Sequence, residues 1–392
     1  MSRALTFILF VSVGTLIISS IHYYLWLRLV RDTGLSGSMR DIGTYALITL
    51  AVSFPTGVII SRLMAYKYSL PILWISYLWL GIMMLFFFSL LFTDGIRLII
   101  FLYSKVFAHT TPTSVDLQRR EFLSQSLTLG ASTLVFGLSA WGVKKYYDKA
   151  VVNQVEVTLS NLPELFKGFR IVQISDLHIG QLMTAPKLKE IVNQVNNLKP
   201  DIIAITGDLA DGSVERLLDE VSSLKELKAE HGVYFVTGNH EYYNGADEWT
   251  QEISKMGIKV LNNKNVEIIR ETESIILAGV NDHEAARFGP TQAADFKKAL
   301  SGLGSDKKKI LLAHQPIAVQ EASEYGTDLV LSGHTHGGQI WPFTYLVYLQ
   351  QPYLKGLYTH ESTQLYVNQG TGCWGPPMRV GSYNEITEIT LV

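Results

Sequence analysis

Four stretches of this chain run through Ala4–Leu27, Ile42–Ser61, Tyr68–Thr93 and Ser124–Val143 without an Asp, Glu, Lys or Arg. Each is close to the ~20 residues that a helix needs to cross a bilayer core about 30 Å thick. Helices of that length with no polar face cannot all hide inside one small soluble core. The first 150 residues are therefore expected to form an all-helical transmembrane domain of about four spans, ending in a linker. A fifth apolar run, Leu98–Ser104, lies between Arg97 and Lys105. It is too short to cross and reads as interfacial or re-entrant. His22, Tyr23 and Tyr24, near the end of the first span, read as interface anchors.

Orientation follows the Lys and Arg of the short loops. With the amino terminus outside, the inner loops carry Arg28, Arg31, Arg40, Arg97, Lys105, Arg119 and Arg120, against Arg3, Arg62 and Lys67 outside. Lys144, Lys145 and Lys149 weaken this bias but do not reverse it. The expectation is a multi-pass protein of the bacterial inner (cytoplasmic) membrane with residues 151–392 on the non-cytoplasmic side. Arg119-Arg120 before the last span reads either as a twin-arginine export signal or as a juxtamembrane basic pair.

From Val151 the composition changes. Charged residues make up 17% of the whole chain, and most of them fall in this second half, where short β-rich runs alternate with amphipathic helices. Strands are expected at Lys167–Ile174, Asp201–Thr206, Val233–Thr237, Ser274–Val280, Lys309–Ala313, Leu329–Ser332, Gln364–Asn368 and Glu385–Val392. Helices are expected at Ala185–Asn197 and Val214–Lys228. That alternation predicts a layered α/β domain over residues 151–392. A net charge of −2 gives no basic surface of the kind nucleic acid requires. Cys373 is the lone cysteine, which excludes an intrachain disulfide and a cysteine zinc site.

Five polar clusters punctuate the domain: Asp176-Leu177-His178, Gly207-Asp208, Gly238-Asn239-His240-Glu241, Ala313-His314-Gln315-Pro316 and Gly333-His334-Thr335-His336-Gly337-Gly338. Singly they mean little, since Gly-Asp is an ordinary loop dipeptide and His314 could be a satisfied core histidine. Each, however, follows a strand-like run, and open α/β sheets build their sites beyond the carboxyl ends of strands. Five distant segments can thus converge on one crevice. Two imidazoles in the glycine-rich turn at 333–338 rarely serve packing.

In this order the clusters resemble the calcineurin-like metallophosphoesterase superfamily over residues 168–392, and most closely its bacterial membrane-attached phosphodiesterase branch. Ser332-Gly333-His334-Thr335-His336-Gly337-Gly338-Gln339-Ile340 carries much of that likeness, as does Gln369-Gly370-Thr371-Gly372 ahead of Pro376-Pro377-Met378-Arg379. The resemblance implies a four-layer α-β-β-α sandwich and a pair of divalent metal ions. It implies that Asp176, His178 and His336 hold one ion, that Asn239, His314 and His334 hold the other, and that Asp208 bridges them. His240 would be the catalytic histidine that faces the phosphate without ligating. Carboxylate, amide oxygen and imidazole together suit manganese, iron or zinc rather than calcium. Glu241 reads either as a partner that orients His240 or a ligand, or as a surface carboxylate. Asn281-Asp282-His283 follows a strand and could line the cleft.

The implied activity is hydrolysis of a phosphoester, a phosphodiester first, by a metal-activated hydroxide. The run from Ile340 to Tyr358, with Trp341, Phe343, Tyr345, Tyr348, Tyr353 and Tyr358, makes either an apolar rim suited to a lipid-linked phosphoester or a packing loop. Two alternatives stand beside this reading: a UDP-diacylglucosamine-type pyrophosphatase of lipid synthesis, and a membrane sensor or binding module carrying a phosphoesterase-like domain.

Overall fold

The computed structural model describes residues 3–64, 66–107, 117–180, 182–304 and 307–392. It divides into two compact units, Met1–Val143 and Lys144–Val392. The first contains helices α1 (Arg3–Trp26), α2 (Gly37–Leu63), α3 (Tyr66–Phe107) and most of α4 (Leu117–Tyr147). Among the described residues, Ser12–Arg31, Tyr68–Phe107 and Gln118–Tyr147 are long and apolar enough to cross a membrane. The expected span Ile42–Ser61 lies on the 27-residue helix α2.

Two expectations are corrected here. Leu98–Ser104 is not re-entrant but continues the 42-residue helix α3 toward its end, because no Pro or Gly breaks the chain after Gly95 and helical hydrogen bonding continues past Asp94. His22 is buried rather than anchored at an interface. Its Nδ1 lies 2.8 Å from the Ile18 carbonyl, and its Nε2 accepts from Trp79 Nε1 at 3.0 Å.

The second unit opens with strand β1 (Val151–Val157), followed by β2 (Arg170–Ile174), α5 (Ala185–Asn197), β3 (Ile202–Thr206), α6 (Val214–Val221) and β4 (Val233–Val236). Two short helices, α7 (Asn239–Asn244) and α8 (Ala246–Lys255), lead to β5 (Lys259–Val260), β6 (Lys264–Arg270) and β7 (Glu273–Gly279). The chain continues through α9 (Phe296–Leu300), β8 (Lys309–Leu312), α10 (Val319–Glu324), β9 (Leu329–Ser332) and α11 (Thr344–Val347). It closes with β10 (Gly356–His360), β11 (Thr363–Val367) and β12 (Glu385–Leu391).

The strands form two six-stranded mixed sheets, in the orders β1-β12-β2-β3-β4-β5 and β10-β11-β9-β8-β7-β6. Strands β2 to β5 are parallel, as are β7, β8, β9 and β11, while β12, β10 and β6 run antiparallel to their neighbours in these central blocks. Parallel strands buried on both faces read as continuous apolar runs. Along Ile202–Ile205, Ile202 and Ala204 join the core between the sheets, where they meet Leu277, Ile310, Leu312 and Leu331. Ile203 and Ile205 point to the opposite, equally buried face. Outside the second sheet, Phe296, Leu300, Val319 and Ala322 of α9 and α10 cover Ile276, Leu311 and Val330. Outside the first, α5 buries Leu188, Ile191, Val192 and Val195, spaced as one helical stripe. The outcome is the expected four-layer sandwich.

Leu277 is fully buried between the sheets. Leu277→Ala should therefore cost about 2–5 kcal/mol, read as a lower thermal midpoint of the full chain in detergent with its metal content unchanged.

Candidate metal centre

The carboxyl ends of β2, β3, β4, β8 and β9 carry Asp176 and His178, Asp208, Asn239 and His240, His314, and His334 and His336 respectively. Because these strands are parallel within each sheet, all five loops leave from one end of the sandwich and meet over the seam between the sheets. The structure brings all seven expected ligands and His240 together there. Asp176, His178 and His336 form one close set of possible metal donors, and Asp208, His314 and His334 form another. A third set, His178, Asp208 and His240, overlaps both. Oδ2 of Asp208 is central, 3.1 Å from His314 Nε2, 3.7 Å from His178 Nε2 and 4.0 Å from His240 Nε2.

Backbone geometry shows how tightly these loops are drawn. Asp176, His178, Asp208, His334 and His336 all have left-handed φ values between 48° and 71°, a region that non-glycine residues rarely adopt and that costs on the order of 1–3 kcal/mol each. The loops are zipped to one another. Asp176 N donates to Gly207 O at 3.0 Å, His178 N to Asp208 O at 3.1 Å, and Asp211 N to Ile179 O at 2.7 Å. Close approach also fixes glycine. A Cβ at Gly333 would lie 2.3 Å from Asp176 Oδ2, and one at Gly238 would lie 2.2 Å from Asp208 Oδ1.

The hydrogen bonds leave lone pairs facing inward. His314 Nδ1 can only donate to the Thr206 carbonyl, 2.8 Å away. Its Nε2 lone pair then meets Asp208 Oδ2, Asn239 Oδ1 at 3.2 Å and His334 Nδ1 at 3.1 Å. His178 Nδ1 donates to Asp211 Oδ2 at 3.0 Å, so its bare Nε2 faces His336 Nε2 at 3.0 Å. Converging lone pairs repel unless a cation lies among them, and this donor set fits a dinuclear divalent metal site. Burial pushes His334 down to about 3. Burial holds His336 well below its ordinary value. Both are thereby kept in the neutral form that ligates metal.

His240 differs from these. Burial works against its charge, but the carboxylates of Asp208 and Asp211 outweigh burial and raise it to about 9. Its Nδ1 is hydrogen-bonded to Asp211 Oδ1 and its backbone N–H donates to Asp208 Oδ1 at 2.9 Å, leaving Nε2 toward the crevice. Asp211 thus grips both His178 and His240. Sequence reasoning missed this role, although the spacing Gly207-Asp208-x-x-Asp211 was there to be read.

Glu241 is not a surface group but a partner of a candidate ligand, Asp208. It is fully buried and accepts backbone N–H bonds from Gly238 (2.7 Å), Asp208 (3.0 Å), Leu209 (2.8 Å) and Ala210 (3.3 Å). It therefore shapes the loop that presents Asp208. Arg379, also fully buried, donates to the carbonyls of His336 (3.0 Å), Gln369 (2.8 Å) and Gly370 (3.0 Å), fastening the glycine-rich stretch at 369–372 behind His336. Asp282 accepts from Gln315 Nε2 at 3.1 Å, next to His314. Asn281, His283 and Gln315 line a small recess that reaches His314.

Residues 169–338 match the family model of the calcineurin-like phosphoesterases. A metallophosphoesterase of Helicobacter pylori is 38% identical over 276 residues, covering 70% of this chain and 72% of its own length. The chain belongs to the calcineurin-like phosphoesterase family. Among its relatives in that family are transmembrane proteins with a metallophosphoesterase domain. The one from Danio rerio is 42% identical over 65% of this chain, and the one from Bos taurus is 39% identical over 71%. The aligned part spans 60% and 64% of their respective lengths, so the chain matches under two thirds of each. With the apolar helices, these relatives make the chain a membrane-associated member of the family.

Two substitutions test the architecture of the centre. Gly333→Ala should abolish stoichiometric metal binding, measured by elemental analysis, while the circular dichroism spectrum stays unchanged. Glu241→Ala orphans several buried N–H groups at about 1–3 kcal/mol each and should lower the melting temperature more than Glu241→Gln does.

Proposed function

We propose that the chain is a membrane-anchored, metal-dependent phosphodiesterase. The convergence of Asp176, His178, Asn239, His314, His334 and His336 around the Asp208 carboxylate is the observation that carries this reading. Asp176, His178 and His336 would hold one ion, Asn239, His314 and His334 the second, and Asp208 both. Bound there, such a pair supplies Lewis acidity toward phosphoryl oxygens and a water activated for attack at phosphorus.

The chain's own groups do the rest. His240, held cationic by Asp208 and Asp211, presents Nε2–H to a phosphoryl or leaving oxygen, where it stabilises developing charge and delivers a proton. Asp211 fixes the ring through Nδ1 and keeps that proton on Nε2. Asp176 accepts the His334 N–H at 2.9 Å and so ties the two ligand sets together. Arg379 has its donors taken up by backbone carbonyls and by the side chains of Asn384 and Ser382 and does not reach substrate.

The loop charges support a multi-pass protein of the bacterial cytoplasmic membrane with its catalytic unit on the non-cytoplasmic side. A carboxyl-terminal alkaline phosphatase fusion should be active, and a fluorescent protein fused at the same point dark. The reverse pair would place the unit in the cytoplasm.

The reaction itself is tested on bis(p-nitrophenyl) phosphate. Turnover should vanish on chelation and return with manganese, iron or zinc, and Asp208→Asn should abolish it. His240→Ala should lower kcat about 10²–10⁴-fold with metal content unchanged. Equal metal loss in His240→Ala would make that residue a ligand instead.

A further inference from the structure

The aromatic run after the second ligand pair divides in the folded chain. Tyr353 and Tyr358 turn inward, their rings 5.0 Å apart, and pack on the core outside the second sheet. Trp341, Tyr345, Tyr348 and Leu349 turn outward, with 52%, 64%, 47% and 81% of their surfaces exposed. Ile340–Leu354 contains no Asp, Glu, Lys or Arg. Trp374, 50% exposed, adjoins this segment through Gln339, whose side chain donates to Trp374 O at 2.8 Å and accepts from Trp374 N at 3.1 Å. The Trp374 ring also lies 6.0 Å from that of His240. A continuous uncharged aromatic rim therefore borders the crevice, and a soluble protein seldom leaves such a surface in water.

Strand topology indicates what covers it. β1 pairs in parallel with β12 from Val151↔Glu385 onward, and β12 runs antiparallel to β2, with Thr387 opposite Gln173. The start of β1 therefore lies at the carboxyl end of β2, the end that carries Asp176. Only residues 148–150 separate β1 from Tyr147, the last residue of α4, whose stretch Gln118–Tyr147 is able to cross a membrane. Three residues reach about 10 Å at most. The chain thus enters the catalytic unit from its membrane helix at the same end of the sandwich as the metal crevice and the rim.

We propose that Trp341–Leu349 docks on the bilayer that anchors the chain, with Trp341, Tyr345 and Tyr348 at headgroup level and Leu349 in the acyl boundary. Trp and Tyr favour this depth because their rings are amphipathic. Resting on the phosphoesterase reading, the docking further assigns the substrate to membrane-resident phosphoesters whose headgroup enters the crevice without leaving the lipid.

The test uses the full chain in phosphatidylcholine–phosphatidylglycerol vesicles. Leu349→Cys and Ile269→Cys are labelled with an environment-sensitive fluorophore; Cys373 is buried. Ile269 is 59% exposed and lies near the β6–β7 turn, at the opposite end of the sandwich. Nitroxide-bearing lipids should quench the label at 349 at least two-fold and leave that at 269 unchanged. An unquenched label at 349, or equal quenching at both positions, overturns the docking. So does shielding at 349 that grows with protein concentration without lipid quenching, the signature of a second copy.

The substrate assignment is read with Tyr345→Asp combined with Leu349→Asp. This variant should keep its turnover of bis(p-nitrophenyl) phosphate and lose at least ten-fold in kcat/KM on the p-nitrophenyl phosphodiester of dioleoylglycerol in vesicles. Equal effects on the two probes overturn that assignment. If the wild-type chain hydrolyses neither probe, the phosphodiesterase reading fails, while the quenching still decides whether the rim docks.

Discussion

Four carboxylates, those of Asp176, Asp208, Asp211 and Glu241, are buried around one crevice, and the way each is neutralised organises the rest of the domain. A buried charge must be paired or hydrogen-bonded. Glu241 is satisfied by backbone N–H groups and Asp211 by two imidazoles. Asp176 has the His334 amide and nearby imidazoles, and Asp208 lies among His178, His240 and His314. Each solution demands a particular loop path, which is why the loops after β2, β3, β4 and β9 are mutually hydrogen-bonded rather than free. The sandwich supplies five parallel strand ends, and the carboxylates dictate what those ends do.

Two tiers of residues follow from that constraint. The inner tier presents lone pairs, and the outer tier decides which atoms carry protons. Thr206 O accepts from the outer nitrogen of His314 and so keeps its proton there, Asp211 does the same for His178 and His240, and Arg379 fixes the carbonyl of His336. Tautomer control of this kind distinguishes a ligand from a donor. It gives chemically identical imidazoles opposite roles within a few ångströms. His334 is held neutral, while His240 is held charged.

The inner tier was legible in the sequence because Asp, Asn and His beside glycine after apolar runs have few other uses. The outer tier was not. Asp211 looks like any loop acid until β3 ends and its chain turns back across Ile179. Glu241 offered a partner of His240, a partner of a ligand and a surface acid as readings, and only the path of the backbone at 208–210 selects the ligand, Asp208. Arg379 carried resemblance but no role, since most of its partners are main-chain carbonyls that no side-chain pattern encodes. Among the strands, β1 escaped notice because it is a half-exposed edge whose Asn153, Gln154 and Glu156 break the apolar pattern. β10 did so for the same reason. The division of the aromatic run between core and rim is likewise a tertiary fact. Tyr353 and Tyr348 differ in surroundings, not in type.

The strain in the centre bears on whether the domain catalyses or only binds. Five candidate ligands sit in left-handed backbone conformations, each costing on the order of 1–3 kcal/mol, and burial of the carboxylates adds to that cost. A domain kept only as a docking or sensing module would gain stability from glycine or asparagine at those positions, and from apolar replacements of Asp176 and Asp208. All seven positions are nevertheless filled, and Asp211, Glu241 and Arg379 behind them are fully engaged. Stability surrendered so specifically at one crevice favours a centre held for its chemistry. A binding module would need the shape of the rim and not the geometry of Asp208.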